Sequence, residues 1–272
     1  VTADTGATGQ QGFWERRFGW FVAGASFYGS MRLIREAFQN MADIESKMTV
    51  IRRVSNEATA DFGQMQKELL DLSVQMGQSW DDTSKIAIMW SQAGYNMRDT
   101  LELTKVSLLA MNTAELNATE ATSGLIAIMA QWDLQAQQLL PTLDKINLVA
   151  DRYAVTSGDL ISGLQRSSGA AKLLGMSLEE TISLLTILRE GSGRTGREVG
   201  NALNSILSFI QRPNTRKALE DAGIQVWADT AQTQMRNVMD ILRDVSKSWN
   251  GMSEDIQKTL LDSSLAVTGF TE

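Results

Sequence analysis

Residues 174–210, LGMSLEETISLLTILREGSGRTGREVGNALNSILSFI, carry the pattern that decides the fold. Ser177 followed by Glu180 is a capping box: each side chain satisfies a main-chain N–H that the first helical turn leaves unpaired. Leu178, Ile182, Leu184, Leu185, Ile187 and Leu188 then cover a wide arc of one helix. This breadth predicts that the helix from Ser177 to Glu190 is central to the fold. A glycine-containing break follows. Val199, Ala202, Leu203, Ile206 and Ile210 resume the helical spacing, and Pro213 after Arg212 closes that helix. The stretch is therefore a stop between two amphipathic helices, each with an apolar face that needs a partner.

The same grammar extends outward. Met65, Leu69, Leu72 and Met76 line one face, as do Leu139, Leu143, Ile146, Ala150 and Tyr153, and Met235, Met239, Leu242, Val245 and Trp249. Asn117 with Glu120 is a second capping box, and Gly94 and Gly175 suit the residue after a helix end. Pro141 is expected near a helix start. Two Pro residues, against roughly 14 at average usage, leave the pattern little interrupted. The prediction is an all-α bundle of about ten short helices after residue 40, led by a longer N-terminal helix. At most one short strand is expected, at Ile224–Trp227. An internal echo supports a duplicated helical hairpin: Gly94-Tyr95-Asn96-Met97-Arg98-Asp99-Thr100-Leu101-Glu102-Leu103 aligns with Gly175-Met176-Ser177-Leu178-Glu179-Glu180-Thr181-Ile182-Ser183-Leu184.

Composition excludes much chemistry. The 272 residues include no Cys and no His, which removes thiolate nucleophiles, Ser-His-Asp triads, Cys/His zinc sites, His-held haem and disulfides. Nothing in the sequence calls for a cofactor or metal. The net charge of −7 is opposite to what a phosphate-binding surface needs, so static binding of nucleic acid is not expected.

Residues 1–11 read as a disordered tail or linker, residues 12–40 as an apolar helix, and residues 41–268 as the core domain. Phe18–Met31 is free of charge and flanked by Arg16, Arg17 and Arg32. At ~1.5 Å per residue it is about 21 Å long as a helix, short of a ~30 Å bilayer core. Three readings stand: a helix packed on protein, an interfacial membrane helix using Phe18, Trp20 and Phe21, or a self-association face using the Ala25–Gly29 small-residue pair.

Two further patterns carry a plain structural reading. Gly191, Gly193 and Gly196 formally match a dinucleotide fingerprint, but a helix precedes them where a strand is required. The near match to a phosphate loop fails at Arg197 and Glu198, where Lys and Ser or Thr are needed. The segment reads as an inter-helix loop whose Arg194 and Arg197 cap carbonyls or meet an acidic partner. The pairs Asp81-Asp82, Glu179-Glu180 and Glu254-Asp255 sit at expected helix starts, where acids favour the positive end of the dipole.

The run from Ser157 to Ala228 resembles the core region of phage tail tape measure proteins, a class of minor tail protein. Leu174-Gly175-Met176-Ser177-Leu178-Glu179-Glu180-Thr181 is similar to that family's LG-x-S-x-EET helix start. Gly191–Gly196 followed by Gly200-Asn201-Ala202-Leu203 is similar to its glycine segment. Pro213 and then Ala218-Leu219-Glu220-Asp221-Ala222-Gly223-Ile224-Gln225-Val226 match its next motif in order. Upstream, Phe38–Ser55 and Ala93–Tyr95 fit its earlier helices, so the likeness spans about Glu36 to Ala266. Asp229–Gln234 replaces the family's glycine turn, which argues against a second paired strand there.

The resemblance implies a structural tail protein with no catalytic residue. It would act in several copies, in the tail lumen or tip, and contact tube subunits, distal hub or baseplate proteins and tail chaperones. It would share in setting tail length and leave ahead of the DNA, reaching the host envelope from a virion assembled in host cytoplasm. Two rivals remain: a stand-alone membrane-active or pore-forming helical protein, and a cell-wall glycosidase with facing carboxylates roughly 5 to 9.5 Å apart.

Overall fold

The computed structural model describes residues 41–55, 61–255, 257 and 258. The expected tail at 1–11 and the apolar helix at 12–40 lie outside the described residues. The chain divides into two compact units, residues 1–52 and 53–272. Residues 41–54 are helical (α1), with Met48 and Ile51 buried.

Among the described residues, ten further helices of nine residues or more follow: α2 (Phe62–Met76), α3 (Trp80–Gln92), α4 (Met97–Ala114), α5 (Ala118–Trp132), α6 (Ala136–Arg152), α7 (Ser157–Leu173), α8 (Leu178–Ser192), α9 (Gly196–Ile210), α10 (Pro213–Asp221) and α11 (Val238–Ser248). The all-α expectation holds. The local reason is capping chemistry. Ser79, Asn96, Asn117, Thr156, Ser177 and Thr195 each accept a main-chain N–H from the first turn they precede. Such a cap is worth about 1 kcal/mol. Both predicted capping boxes form, and Thr195 with Glu198 makes a further one. Gly94 and Gly175 follow their helices at φ 93° and 72°, a left-handed backbone that favours glycine.

The main core gathers Ile86, Trp90, Leu103, Leu125, Ile128, Met129, Leu139, Ile161, Leu185 and Leu203. The Trp90 indole N–H donates to the Ser107 hydroxyl at 2.9 Å, and its ring meets Tyr95 edge-on. A smaller cluster of Leu219, Ile224, Val226 and Ile241 sits beneath the α10–α11 connection.

Several expectations need correction. The central helix is α7, which packs on α4, α5, α6, α8 and α9, whereas α8 leaves Ile187 61% exposed. The reason is side-chain size: α7 buries Gly158, Gly163, Ser167, Ser168 and Ala171, so five neighbours can approach it closely. Pro141 does not start a helix but sits inside α6, which begins at Ala136, where the Gln138 side chain accepts the Gln135 main-chain N–H at 2.7 Å. Its position is exposed, so water can satisfy the carbonyl that loses its N–H partner. Tyr153 leaves the α6 stripe because it is the extended residue at the helix end, and it is 53% exposed. The bound of at most one short strand at Ile224–Trp227 holds: among the described residues the segment makes only an isolated antiparallel bridge between Trp227 and Met235. The intervening turn is closed by the Asp229 carboxylate, which accepts the Thr233 and Gln234 N–H groups and the Thr233 hydroxyl.

Candidate functional site: the α7–α8–α9 junction

The glycine-containing segment singled out by sequence lies where three helices meet. Gly191 belongs to the end of α8, Gly193 is its cap at φ 65°, and Gly196 is the first residue of α9. Arg194 and Arg197 are exposed. The connection between the helices is thus Gly193 to Thr195, with the Thr195 hydroxyl fixing the start of α9. Phe18, Trp20, Phe21, Ala25 and Gly29 lie outside the described residues.

The residue that organises the junction is Asp159, in the first turn of α7. One carboxylate oxygen accepts the Gly196 N–H at 2.7 Å; the other accepts the Arg189 Nε–H at 2.9 Å. A single carboxylate therefore ties the start of α7 to the end of α8 and the start of α9. The side chains of Asp159 and Arg189 are 17% and 25% exposed, so water screens the pair only partly. Burial pushes the Asp159 carboxyl upward. The Gly196 N–H and the Arg189 guanidinium outweigh it and hold the group below its ordinary value. Nearby, Glu190 accepts the Ala154 N–H and so fixes the α6–α7 link.

Glycine makes the geometry possible. A Cβ on Gly200 would lie 2.6 Å from the Gly163 carbonyl oxygen, and one on Gly196 would overlap the Asp159 main chain. These contacts match 159 with 196 and 163 with 200, so α7 and α9 run parallel, backbone against backbone. Leu185 against Gly163 and Arg189 against Asp159 make α8 antiparallel to α7. At its start, α7 also meets the end of α4, since a Cβ on Gly158 would lie 2.5 Å from the Ala114 carbonyl oxygen.

The arrangement bears on the other motifs. A phosphate held at the start of α9 would need the N–H that Asp159 already occupies. The paired acids serve as dipole partners and tethers. Glu179 accepts from Lys145 at 2.7 Å, which holds its carboxyl below the ordinary range. Glu180 is held low by the Ser177 main-chain N–H and then by the Asn237 amide, which joins α8 to the start of α11. Asp82 accepts from its cap, Ser79. No group of acids that could hold a metal occurs among the described residues. Sequence reasoning missed Asp159 and Arg189. The available signal was Thr156 with Asp159 as a helix start, but their partners come from 30 and 37 residues away.

These features belong to a helical scaffold, and comparison with known proteins gives that scaffold a family. The profile described as phage-related minor tail protein matches residues 66–265. The chain belongs to this family. The chain is also 20% identical over 190 residues to the tape measure protein of Pneumococcus phage Dp-1, covering 68% of this chain and 16% of that one. The match thus takes in about a sixth of that relative's length. No solved structure matches. Membership in the minor tail protein family gives the chain a structural role in a phage tail, and with it a place in the virion.

Proposed function

We propose that this minor tail protein chain is a folded helical module of a longer tape measure protein. In this reading it sits in the tail lumen or tip and takes part in tail assembly and length determination. It leaves ahead of the DNA and helps form a conduit through the host envelope. The observation that carries the reading is the likeness to a small part of a much longer tape measure protein. An extended ruler would need long uninterrupted helix. The longest helix with both ends described, α4, has 18 residues and spans about 27 Å. The many caps and the glycine crossings instead favour a compact anchoring element. A folded domain of this size has a radius of gyration of about 18–19 Å, which suits a wide tip better than a narrow lumen.

Partners in this reading are tube subunits, distal hub or baseplate proteins, tail chaperones and further copies of the chain; DNA is not a static ligand, and the chain is not an enzyme. No helix among the described residues is long and apolar enough to cross a membrane. Phe18–Met31 is the candidate for contact with further copies of the chain or with the envelope; if it is the membrane contact, deleting it should abolish liposome binding, and undiminished binding would refute that assignment.

Cryo-electron microscopy of assembled tails tests the main proposal. A symmetric set of copies of this helical density in the lumen or tip is the expected result. Absence of the protein from purified tails would overturn it. Bilayer insertion by the isolated chain would then favour a pore former.

A further inference from the structure

The helices from α2 to α9 stack as hairpins, α2–α3, α4–α5, α6–α7 and α8–α9. α4 packs on α2 and α6, α5 packs on α3 and α7, and α7 packs on α9. The ends of α2, α4, α6 and α8 lie along one edge. The Asn112 amide of α4 donates to the Met76 carbonyl of α2, Gly158 meets Ala114 at the end of α4, and Glu190 of α8 accepts from Ala154 just after α6. A stack of like units has two unlike ends. Among the described residues of 53–272, α2 and α3 stand at one end, and α9 with α10 packed on it at the other.

Charge is divided between these ends. Residues 61–92 carry the acids Asp61, Glu68, Asp71, Asp81 and Asp82 against Lys67 and Lys85. Residues 194–217 carry Arg194, Arg197, Arg212, Arg216 and Lys217 against Glu198 alone; Glu220 and Asp221 follow at the far end of α10. Elsewhere opposite charges meet within the fold, Asp159 with Arg189, Glu179 with Lys145 and Asp244 with Arg236. Among the described residues no carboxylate pairs with Arg197, Arg212, Arg216 or Lys217, and no cation pairs with Glu68, Asp71 or Asp82. Two of the bases are set in place by aromatic rings: the guanidinium of Arg212 lies 4.0 Å from the centre of the Phe209 ring, and that of Arg216 4.9 Å from that of Trp227. A stacked guanidinium keeps its N–H edge for a carboxylate. At the acidic end Val74, about one turn beyond Asp71, is 81% exposed and offers apolar area.

We propose that these ends meet: the α9–α10 end of one chain docks on the α2–α3 end of a second copy, so that copies join head to tail. A second copy fits because one contact satisfies both ends. Pairing of like ends would set acid against acid or base against base, which costs several kcal/mol. The contact is heterologous, and closes into a ring or extends as a filament. It gives a surface to the further copies in the reading above and rests on that reading only there; imaging of tails decides position whatever the outcome here.

Sedimentation velocity on the whole 272-residue chain tests the contact. By about 100 μM at low ionic strength the chain should associate, and about 0.5 M salt should weaken association at least about tenfold, as screening requires of exposed charges. Glu68→Lys with Asp71→Lys should weaken it by at least about tenfold, and so should Arg212→Glu with Lys217→Glu. None of these four side chains is buried, and circular dichroism checks that both variants fold. The neutral pair Arg212→Gln with Lys217→Gln, which disturbs the helix less, should give a smaller loss of about two- to tenfold. The chain carrying all four charge reversals should regain association, because its reversed ends attract again. A parent chain that stays monomeric at low ionic strength would overturn the proposal, as would a folded fourfold variant that does not regain association. Association indifferent to salt and to both reversals would overturn it in favour of contact through Phe18–Met31.

Discussion

The α3–α5 layer and the α7–α9 crossing are built on opposite principles. Around Trp90, Leu103, Leu125, Ile128 and Met129, large side chains fill the space between helices. Across α7 and α9 that space is almost absent, and Gly163, Gly196 and Gly200 let main chain touch main chain. The first region derives its stability from apolar area removed from water. The second relies on close van der Waals packing and on one carboxylate, Asp159, that satisfies the end of α8 and the start of α9. The first therefore fails when atoms are removed, and the second when atoms are added.

That contrast can be broken by experiment. Trp90→Ala should have the largest effect, about 3–5 kcal/mol, because it empties the core and removes the indole N–H that the Ser107 hydroxyl accepts; urea unfolding of the whole chain reads it. Gly200→Ala adds one methyl group against the Gly163 main chain, which cannot swing aside. Overpacking should outweigh the gain in helix propensity, giving a net loss of about 2 kcal/mol by the same measurement. A neutral Gly200→Ala would mean the crossing is looser than described.

Asp159→Asn should cost about 1.5–3 kcal/mol, the scale of a hydrogen bond to a charged group. It should also change the acid response. The Asp159 carboxyl is held below its ordinary value in the fold, so its stabilisation is present above the unfolded value near 3.9. That stabilisation is lost as pH falls through the lower folded value. Thermal melts across this acid range should be flatter for the variant than for the parent.

Gly163→Ala sharpens the comparison, since its nearest neighbour is the flexible Leu185 side chain at 2.9 Å. The side chain can move, and the propensity gain offsets the contact, so the net change should stay within about 1 kcal/mol in differential scanning calorimetry. A loss equal to that of Gly200→Ala would erase the distinction between main-chain and side-chain neighbours. Lys145→Met removes an ion pair whose side chains are 57% and 60% exposed. Its effect should be below about 0.5 kcal/mol, and added salt should shrink the difference between parent and variant.

The two echo segments show how far a sequence can be read. Gly94 and Gly175 both take left-handed backbone, Asn96 and Ser177 both cap, and Thr100 and Thr181 are both fully buried. Leu103 is then buried, whereas Leu184 is only partly so, because α4 and α8 meet different neighbours. Helix ends were readable because their hydrogen bonds close within three or four residues. The choice of central helix was not. The apolar arc of α8 suggested it, while the glycines and serines of α7 carry no hydrophobic signal and acquire their role only through what they let approach.

The sequence alone therefore determined the helical class, most helix boundaries and the likeness to tail proteins, since these rest on local periodicity, capping and ordered motifs. Tertiary structure decided the rest. It put α7 at the centre, ran α9 parallel to it and filled the start of α9 with Asp159. Each of these depends on groups brought together from distant parts of the chain, and a one-dimensional pattern does not encode which backbone will lie against which.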